Sequence, residues 1–294
     1  MQLVDLDVFA KINWSLGVLG VLENGYHELD MLLQSVSLRD SLIIKSSDGL
    51  QLTVGGRLPQ NPEKNLCIKA ARAFFEYTHM QGGCEISLTK RIPICAGMGG
   101  GSADAAGVLI GLNMLYGTKL KKDELAQIGV GLGADVPFML TGGLMRARGI
   151  GEQLQGQKIG KRMYLVVLMP RRGASTANVF AEFDAMATPP AVDTDAICDA
   201  LLKGDARAVA SNMANHLQTV TAMQNPDIDK AIAMLMQSGA AGAMMTGSGS
   251  ACYGLYVDKQ SADNAFNSLI KNKDGFRVYK VHTVHSSFAL NRIC

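Results

Sequence analysis

A glycine-rich segment is the part of the sequence whose composition points most directly to chemistry. It runs from Pro93 to Ala106 and reads Pro-Ile-Cys-Ala-Gly-Met-Gly-Gly-Gly-Ser-Ala-Asp-Ala-Ala. Glycines let successive backbone N–H groups turn toward one anion. The helix that we predict to start at Ser102 would add its positive dipole end. The segment favours a triphosphate-binding loop, with a flexible turn before a buried helix as the alternative.

This loop differs from three well-known glycine motifs. A Walker loop would end in Gly-Lys-Ser or Gly-Lys-Thr, which is missing here. A dinucleotide-binding loop that starts at Gly97 would need glycine at Ser102. A nucleophile elbow through Ser102 would need glycine at Asp104. Any phosphate chemistry would therefore follow another pattern.

Asp135 and Lys11 are the candidate acid–base residues. Asp135 lies in the segment 131–138, after the predicted end of one helix and before Pro137, a position that suits the first turn of the next helix. Its carboxylate could cap that helix or act as a base toward a substrate hydroxyl, and the spacing leaves both open. Lys11 shares the polar face of the first predicted strand with Asn13, and that face could equally be solvated.

A second segment rich in small residues lies in the C-terminal half. It reads Thr-Gly-Ser-Gly-Ser-Ala over residues 246–251 and joins two predicted strands. Taken alone, it is typical of an ordinary Gly/Ser turn.

The elements that must position these residues follow from apolar periodicity and helix caps. In the first half we predict strands over 6–18, 50–54 and 85–89, and helices over 66–75 (capped by Asn65), 102–115 and 122–132. In the second half we predict strands over 164–169, near 243, and over 252–257 and 276–284, and helices over 176–186, 195–202, 205–223, 227–238 and 261–271. Without its extra helices, the second half has the β-α-β-β-α-β order of ferredoxin-like domains. A loop-rich stretch places the domain boundary near 155–160.

Composition excludes several classes of protein. The chain has 294 residues, 48% of them apolar, and a formal net charge of +2, so a nucleic-acid-binding surface is not indicated. No apolar run approaches the roughly 18 residues of a membrane span, and the acidic start is unlike a signal peptide, so we expect a cytoplasmic protein. The six cysteines form no C-x-x-C pair and the five histidines no H-E-x-x-H motif, so no metal site is predicted.

Six segments together resemble one family, the GHMP kinases. The resemblance extends from Ala10 to about Val257, and the segments that carry it occur in the family's order: 9–13, 24–29, 93–106, 133–138, 147–152 and 247–249. It implies an α+β protein of two domains, a ribosomal-S5-like ATP-binding domain over 1–157 and a ferredoxin-like domain over 158–294, with the active site between them. It also implies an ATP-dependent transfer of phosphate to the 2-hydroxyl of a cytidine diphosphate sugar alcohol, in the non-mevalonate isoprenoid pathway.

The resemblance also implies roles for individual residues. Asp135 would be the catalytic base and Lys11 its electrostatic partner. Matches to ATP-binding positions are Asn65, Leu66, Lys90, Pro93, Gly97, Gly99, Gly100, Gly101 and Ser102. Matches to substrate-binding positions are Asn13, Tyr26, His27, Thr176, Phe180, Gly247, Ser248 and Gly249. Among these, Tyr26 and Phe180 would flank the cytosine and His27 would hydrogen-bond it.

The implied cofactors are ATP and Mg²⁺, because a divalent cation bridges phosphate oxygens and offsets their charge. The implied partner is the small-molecule substrate, without nucleic acid or membrane, and the protein would be a monomer or a homodimer. Two alternatives remain: another small-molecule kinase of the family, or a silent nucleotide-binding regulator with the same fold. Loss of Asp135 or Lys11 would be the mark of the regulator, and both residues are present.

Overall fold

The computed structural model describes residues 2–57, 60–186 and 189–294 and contains two β-sheets. The first sheet has eight strands: β1 (Leu3–Val21), β2 (His27–Ser47), β3 (Leu50–Val54), β4 (Gly83–Thr89), β5 (Leu144–Gly149), β6 (Gln153–Gly156), β8 (Ala214–Asn215) and β12 (Phe288–Ile293). The second has four strands: β7 (Tyr164–Met169), β9 (Gly242–Met245), β10 (Cys252–Tyr256) and β11 (Arg277–His282).

Ten α-helices lie among the described residues. They are α1 (Leu66–Thr78), α2 (Gly100–Leu115), α3 (Lys122–Val130), α4 (Val136–Thr141), α5 (Thr176–Phe183), α6 (Thr194–Lys203), α7 (Ala206–Asn212), α8 (Gln218–Gln224), α9 (Asp227–Gln237) and α10 (Lys259–Lys271). In these described segments, none of the helices is long and apolar enough to span a bilayer.

Two long antiparallel strands, β1 and β2, form the centre of the first sheet. One half of β2 also pairs with β5, and the other half pairs with β4, which is parallel to β3. The last strand, β12, pairs with the beginning of β1, where Val8 lies opposite Phe288 and the Leu3 N–H donates to the Cys294 carbonyl oxygen at 2.8 Å. Residues from both ends of the described chain therefore belong to the same sheet.

Helix α2 packs tightly on the strands β1 and β2. A methyl group on Gly107 would lie 2.5 Å from both Leu42 Cδ1 and Val8 Cγ1, so glycine allows this close approach. The predicted buried helix is confirmed, but it begins at Gly100 rather than at Ser102. The reason is that Gly99, with φ of 68°, forms the N-cap and its carbonyl oxygen accepts a hydrogen bond from the Ala103 N–H at 2.9 Å.

The second sheet confirms the predicted ferredoxin-like order. Its strands run β11-β7-β10-β9, all antiparallel, and the helices α9 and α10 pack on it. Along the chain, β7, α9, β9, β10, α10 and β11 supply the expected β-α-β-β-α-β sequence of elements.

The helix predicted over 205–223 is wrong, because the chain forms two helices there. They are α7 and α8, and the two-residue strand β8 between them pairs in parallel with β1. Asn215 explains the break: its side-chain oxygen accepts a hydrogen bond from the Leu217 N–H at 3.0 Å and so forms a local turn just before α8. The His216 N–H donates to the Leu16 carbonyl oxygen instead of continuing a helix.

Buried aromatic side chains join the two sheets. Trp14 on β1 and Tyr253 on β10 meet edge to face, with ring centroids 5.7 Å apart. The Tyr253 hydroxyl also donates to the Asn13 carbonyl oxygen at 2.8 Å. These contacts fix the strand that carries Lys11 against the second sheet.

Candidate active site

A cavity of about 600 Å³ lies where the two glycine-containing turns meet. All of the residues predicted for the site line it except Tyr26, His27 and Gly249. The structure therefore brings together side chains from β1, from the loop before α2, from the start of α4 and from α5.

The two turns contact each other through their backbones. Gly97 has φ of 72°, and a Cβ atom there would overlap the carbonyl oxygen of Thr246. Gly247 has φ of 58°, and its Cβ would lie 2.8 Å from the Gly97 carbonyl oxygen. Both positions combine a left-handed backbone with a close approach, and glycine meets both requirements. The turn at 246–251 is thus part of the cavity wall.

Lys11 and Asp135 face each other across the cavity. The Lys11 ammonium lies 2.8 Å from Asn13 Oδ1 and 3.9 Å from Asp135 Oδ2. Its side chain is 6% exposed and that of Asp135 is 35% exposed. Asp135 occupies the N-cap position of α4, but its carboxylate accepts no capping hydrogen bond. The carboxylate is therefore available to a ligand in the cavity.

The backbone of β1 holds this arrangement in place. The Lys11 N–H donates to the Met98 carbonyl oxygen at 3.0 Å, which ties the strand to the glycine-rich loop. The Asn13 N–H donates to Thr246 Oγ1 at 3.0 Å, which ties the same strand to the second turn. Neighbouring residues of one strand thus set the distance between the two turns.

Asn215 also supports the second turn, and sequence reasoning missed it. Its side-chain nitrogen donates to the Met245 carbonyl oxygen at 2.9 Å and to the Gly247 carbonyl oxygen at 2.8 Å. The residue lies in the segment predicted to be helical, and no motif marks it.

His27 forms an aromatic pair with Phe180, which lines the cavity. Their rings stack with centroids 4.5 Å apart, and His27 Nε2 lies 2.6 Å from Asp184 Oδ1. Tyr26 lies in the turn before β2 and is 60% exposed. Gly249 lies behind the lining, where its N–H donates to the Thr246 carbonyl oxygen at 3.0 Å.

A hydroxyl pair joins α5 to the second turn. Thr176 Oγ1 and Ser248 Oγ are 2.8 Å apart, and Thr221 Oγ1 donates to the Ser248 carbonyl oxygen at 3.2 Å. The substrate-binding candidates of the second half thus support one another.

Lys90, which also lines the cavity, lies between two carboxylates. Its ammonium is 2.5 Å from Asp40 Oδ2 and 2.7 Å from Asp104 Oδ2. Asn65 caps α1 as predicted, because its side chain accepts from the Cys67 N–H at 2.9 Å. Sequence reasoning assigned no role to either carboxylate: Asp104 stood inside the glycine-rich segment, and Asp40 lay in a stretch without a recognised motif.

The electrostatics of this cluster are unusual. Burial raises the pKa of Asp104 to about 8, and the opposing effect of Lys90 offsets only part of that rise. Burial alone would lower the pKa of Lys90, but the Asp104 and Asp40 carboxylates outweigh it and the pKa of Lys90 is raised. The lysine therefore remains an ammonium ion at neutral pH.

The donor set of the cavity bears on the kind of metal that it could take. Within the described ranges, no group of three or more His, Cys, Asp or Glu side chains is arranged to hold a metal ion. Mg²⁺ commonly binds through substrate phosphates and water with few protein ligands. Any Mg²⁺ in this cavity would therefore depend mainly on ligands that a bound substrate supplies.

Comparisons with known proteins agree with this geometry. The profile described as GHMP kinases N terminal domain matches residues 65–143, and the one described as GHMP kinases C terminal matches residues 197–274. A 4-diphosphocytidyl-2-C-methyl-D-erythritol kinase from Pelotomaculum thermopropionicum is 41% identical over 86% of this chain and 89% of its own. The protein of the same name from Clostridioides difficile is 36% identical over 100% of this chain and 99% of its own.

Solved structures are similar to the whole chain. A crystal structure of 4-(cytidine 5'-diphospho)-2C-methyl-D-erythritol kinase has a TM-score of 0.81 and 31% identity, and the match covers 95% of this chain and 98% of that one. A homoserine kinase from Cytophaga hutchinsonii has a TM-score of 0.76 at 19% identity, with 98% and 97% covered. The second likeness concerns the fold alone.

Proposed function

The chain belongs to the GHMP kinase family, and we propose that it transfers the γ-phosphoryl group of ATP to the 2-hydroxyl of 4-diphosphocytidyl-2-C-methyl-D-erythritol. This reaction is a step of the non-mevalonate isoprenoid pathway. The relatives that carry this name match nearly the full length of the chain. A transferase with an alcohol acceptor also suits a cavity that contains a carboxylate, an ammonium group and a glycine-rich loop.

One observation supports the chemistry most directly. The carboxylate of Asp135 and the ammonium of Lys11 lie 3.9 Å apart in the cavity whose wall includes the loop at 97–102. Phosphoryl transfer needs little covalent help from a protein, and it depends mainly on positioning and on stabilisation of negative charge. These are the functions that this arrangement can perform.

In the proposed step, the acceptor hydroxyl oxygen attacks the γ-phosphorus and the bond to the β-phosphate oxygen breaks, which releases ADP. Asp135 accepts the hydroxyl proton. Lys11 offsets negative charge on the transferring group, and Asn13 holds the Lys11 ammonium at 2.8 Å. Backbone N–H groups of the loop and the N-terminus of α2 would hold the phosphates. Mg²⁺ bound with the nucleotide would offset the negative charge of its phosphates.

The other predicted site residues retain their proposed roles. We assign the nucleotide to the side of the cavity that contains Asn65, Leu66, Lys90 and Pro93, and the cytidylated acceptor to the side that contains Phe180, Thr176 and Ser248. His27 would reach the base from behind Phe180, since their rings already stack. A domain boundary between residues 157 and 158, a cytoplasmic location and a monomeric or homodimeric state stay predictions.

The test is a phosphorylation assay with purified protein, ATP and Mg²⁺. We expect turnover with the diphosphocytidyl substrate and much weaker turnover with mevalonate, homoserine or galactose. Preference for an acceptor without cytidine would reject the proposed substrate. ATP binding without transfer to any of these alcohols would favour the silent regulator.

A further inference from the structure

Three ionisable side chains meet behind the first turn of α2. Lys90 donates to one oxygen of Asp40 at 2.5 Å and to one oxygen of Asp104 at 2.7 Å. The Lys90 ammonium also lies 3.2 Å from the point where a Cβ atom on Gly100 would be. The cluster is therefore directly behind the backbone that we assign to the phosphates.

The two carboxylates are not equally satisfied. Besides Lys90, Asp40 accepts hydrogen bonds from the backbone N–H groups of Arg91 and Ile92. In contrast, Asp104 accepts only from Lys90, and its Oδ1 is buried without a hydrogen-bond partner within the described structure. A buried carboxylate oxygen with no donor strongly disfavours the charged form.

The charges around Asp104 also disfavour its ionised form. The groups that face it are Lys90 just after β4, Asp40 on β2 and Cys67 on α1. Cys67 is an uncharged thiol, since burial raises its pKa further above the ordinary range. One ammonium cannot neutralise two carboxylates, so the cluster is neutral only when one of them carries a proton. Asp40 accepts from three donors and Asp104 from one, so Asp104 is the one that we infer to carry the proton.

We propose that Asp104 is a positioning residue of the nucleotide site, which holds Lys90 behind the phosphate loop and carries a proton while the nucleotide is bound. This inference rests on the proposed function for the place of the triphosphate. The inference is supported by the buried Asp104 Oδ1, which has no hydrogen-bond partner, and by the neighbouring Asp40 carboxylate. The pKa of about 8 at Asp104 agrees with it.

The sign of the effect follows from the charge of the cluster. With Asp104 protonated, the cluster is neutral, and with Asp104 ionised, it adds one negative charge next to the phosphates. A bound polyphosphate therefore favours the protonated form and raises the pKa of Asp104 further. Above pH 8, binding takes up a proton from solvent and converts the carboxylate to a carboxylic acid, so nucleotide affinity falls as the pH rises.

The experiment is titration calorimetry of the full chain with ADP and with the β,γ-imido analogue of ATP, at constant Mg²⁺ and ionic strength. Between pH 7.5 and 9.5 we expect the wild type to lose roughly tenfold in affinity, on the scale of one extra charge near the phosphates in a partly screened site. The terminal phosphate titrates near pH 6, so its charge is constant in this window. At pH 8.5, buffers of different ionisation enthalpy should reveal net proton uptake.

Two variants separate the cluster from general charge effects. Asp104→Asn cannot ionise, so its affinity should change less than about twofold over the same pH range and its binding should take up no proton. Asp263→Asn removes a carboxylate that pairs with Lys259 and Lys280 outside the cavity, and it should keep the wild-type pH profile.

A flat wild-type profile without proton uptake would overturn the proposal, and so would Asp104→Asn with the wild-type profile. If thermal melting shows that Asp104→Asn is unfolded, the number of protons that the wild type takes up on nucleotide binding at pH 8.5 remains the test, and a value of zero would overturn the proposal. This test involves no acceptor. Failure to phosphorylate the diphosphocytidyl alcohol would therefore reject the proposed function and leave the pH dependence of nucleotide binding to be judged separately.

Discussion

Lys11→Met, Asp135→Asn and the corresponding double variant would show whether the two side chains act as one catalytic unit. Both replacements keep the approximate size of the side chain, so the packing around the cavity should survive. Lys11 is almost fully buried, and the thioether chain of methionine can fill most of its space. Asparagine keeps the shape of Asp135 and loses its ability to accept a proton.

The expected magnitudes differ between catalysis and stability. A general base typically contributes about 10²–10⁴ in rate, and a group that stabilises transition-state charge about 10²–10³. We therefore expect kcat to fall roughly 10³-fold in Asp135→Asn and roughly 10²-fold in Lys11→Met. The ion pair itself, at 3.9 Å and with Asp135 about one-third exposed, should contribute only about 1 kcal/mol or less to folding.

The double variant provides the decisive comparison. Residues that act as a unit have strongly non-additive effects. The kcat of the double variant should therefore lie within about tenfold of the kcat of the less active single variant. If the two groups acted independently, their separate losses would multiply, and the kcat of the double variant would fall roughly 10⁵-fold. The assay is steady-state release of ADP over a range of both substrates, together with urea unfolding, and the KM for ATP should change less than about threefold in Asp135→Asn.

A matched control is the surface pair of Lys230 and Asp274, whose charged atoms are 2.5 Å apart outside the cavity. Lys230→Met and Asp274→Asn should leave kcat within about twofold of the wild type, because exposed pairs contribute little. If Asp135→Asn kept kcat within tenfold of the wild type, Asp135 would not be the catalytic base. Simple multiplication of the two losses in the double variant would refute the shared role.

Three further changes test other parts of the structure. Gly97→Ala should raise the KM for ATP at least about tenfold, because the backbone at residue 97 is left-handed and the added methyl group would overlap the Thr246 carbonyl oxygen. Initial rates measure this KM, and an unchanged value would contradict the prediction. Asp184→Ala should raise the KM for the cytidylated acceptor about three- to tenfold and leave the KM for ATP unchanged, since a hydrogen bond that orients His27 is lost. Gly111→Ala should lower the free energy of unfolding by about 1–3 kcal/mol, because the added methyl group would lie 2.4 Å from Ile44 Cδ1 on β2. Urea unfolding measures this, and an unchanged free energy of unfolding would contradict it.

Elements with a clear period or cap could be predicted from the sequence. The strand that the alternation predicted at β1, the Asn65 cap of α1 and the apolar helix α2 are all confirmed. The ferredoxin-like order also follows from local patterns, because its four strands are short and three of them, β7, β9 and β10, are largely apolar. In these cases the local signal and the final packing agree.

Strand β2 was missed for a physical reason. Its segment 31–36 is buried throughout, so the polar residues Gln34 and Ser35 lie inside the protein and no alternation marks the strand. The break between α7 and α8 was missed for a similar reason, since it depends on bonds from residues 215 and 216 to distant parts of the chain. Long-range contacts of this kind leave no local pattern.

The residues of the candidate site could be predicted from the sequence, but their contacts with one another could not. The resemblance named the residues, and nearly all of them line one cavity. It could not show that Lys90 lies between two carboxylates, because Asp40 and Asp104 are far apart in sequence and meet only through the fold. The charge balance of that cluster is a property of the tertiary structure.

The pairing of β12 with β1 has a consequence for folding during translation. Val8 can find Phe288 only after about 280 intervening residues have been made, which takes roughly 15 to 60 s at about 5–20 residues per second. Throughout that interval one side of the first strand presents unsatisfied backbone groups to the solvent. Closing this edge is therefore among the last steps of maturation, and nascent chains are most exposed to wrong strand pairing before it occurs.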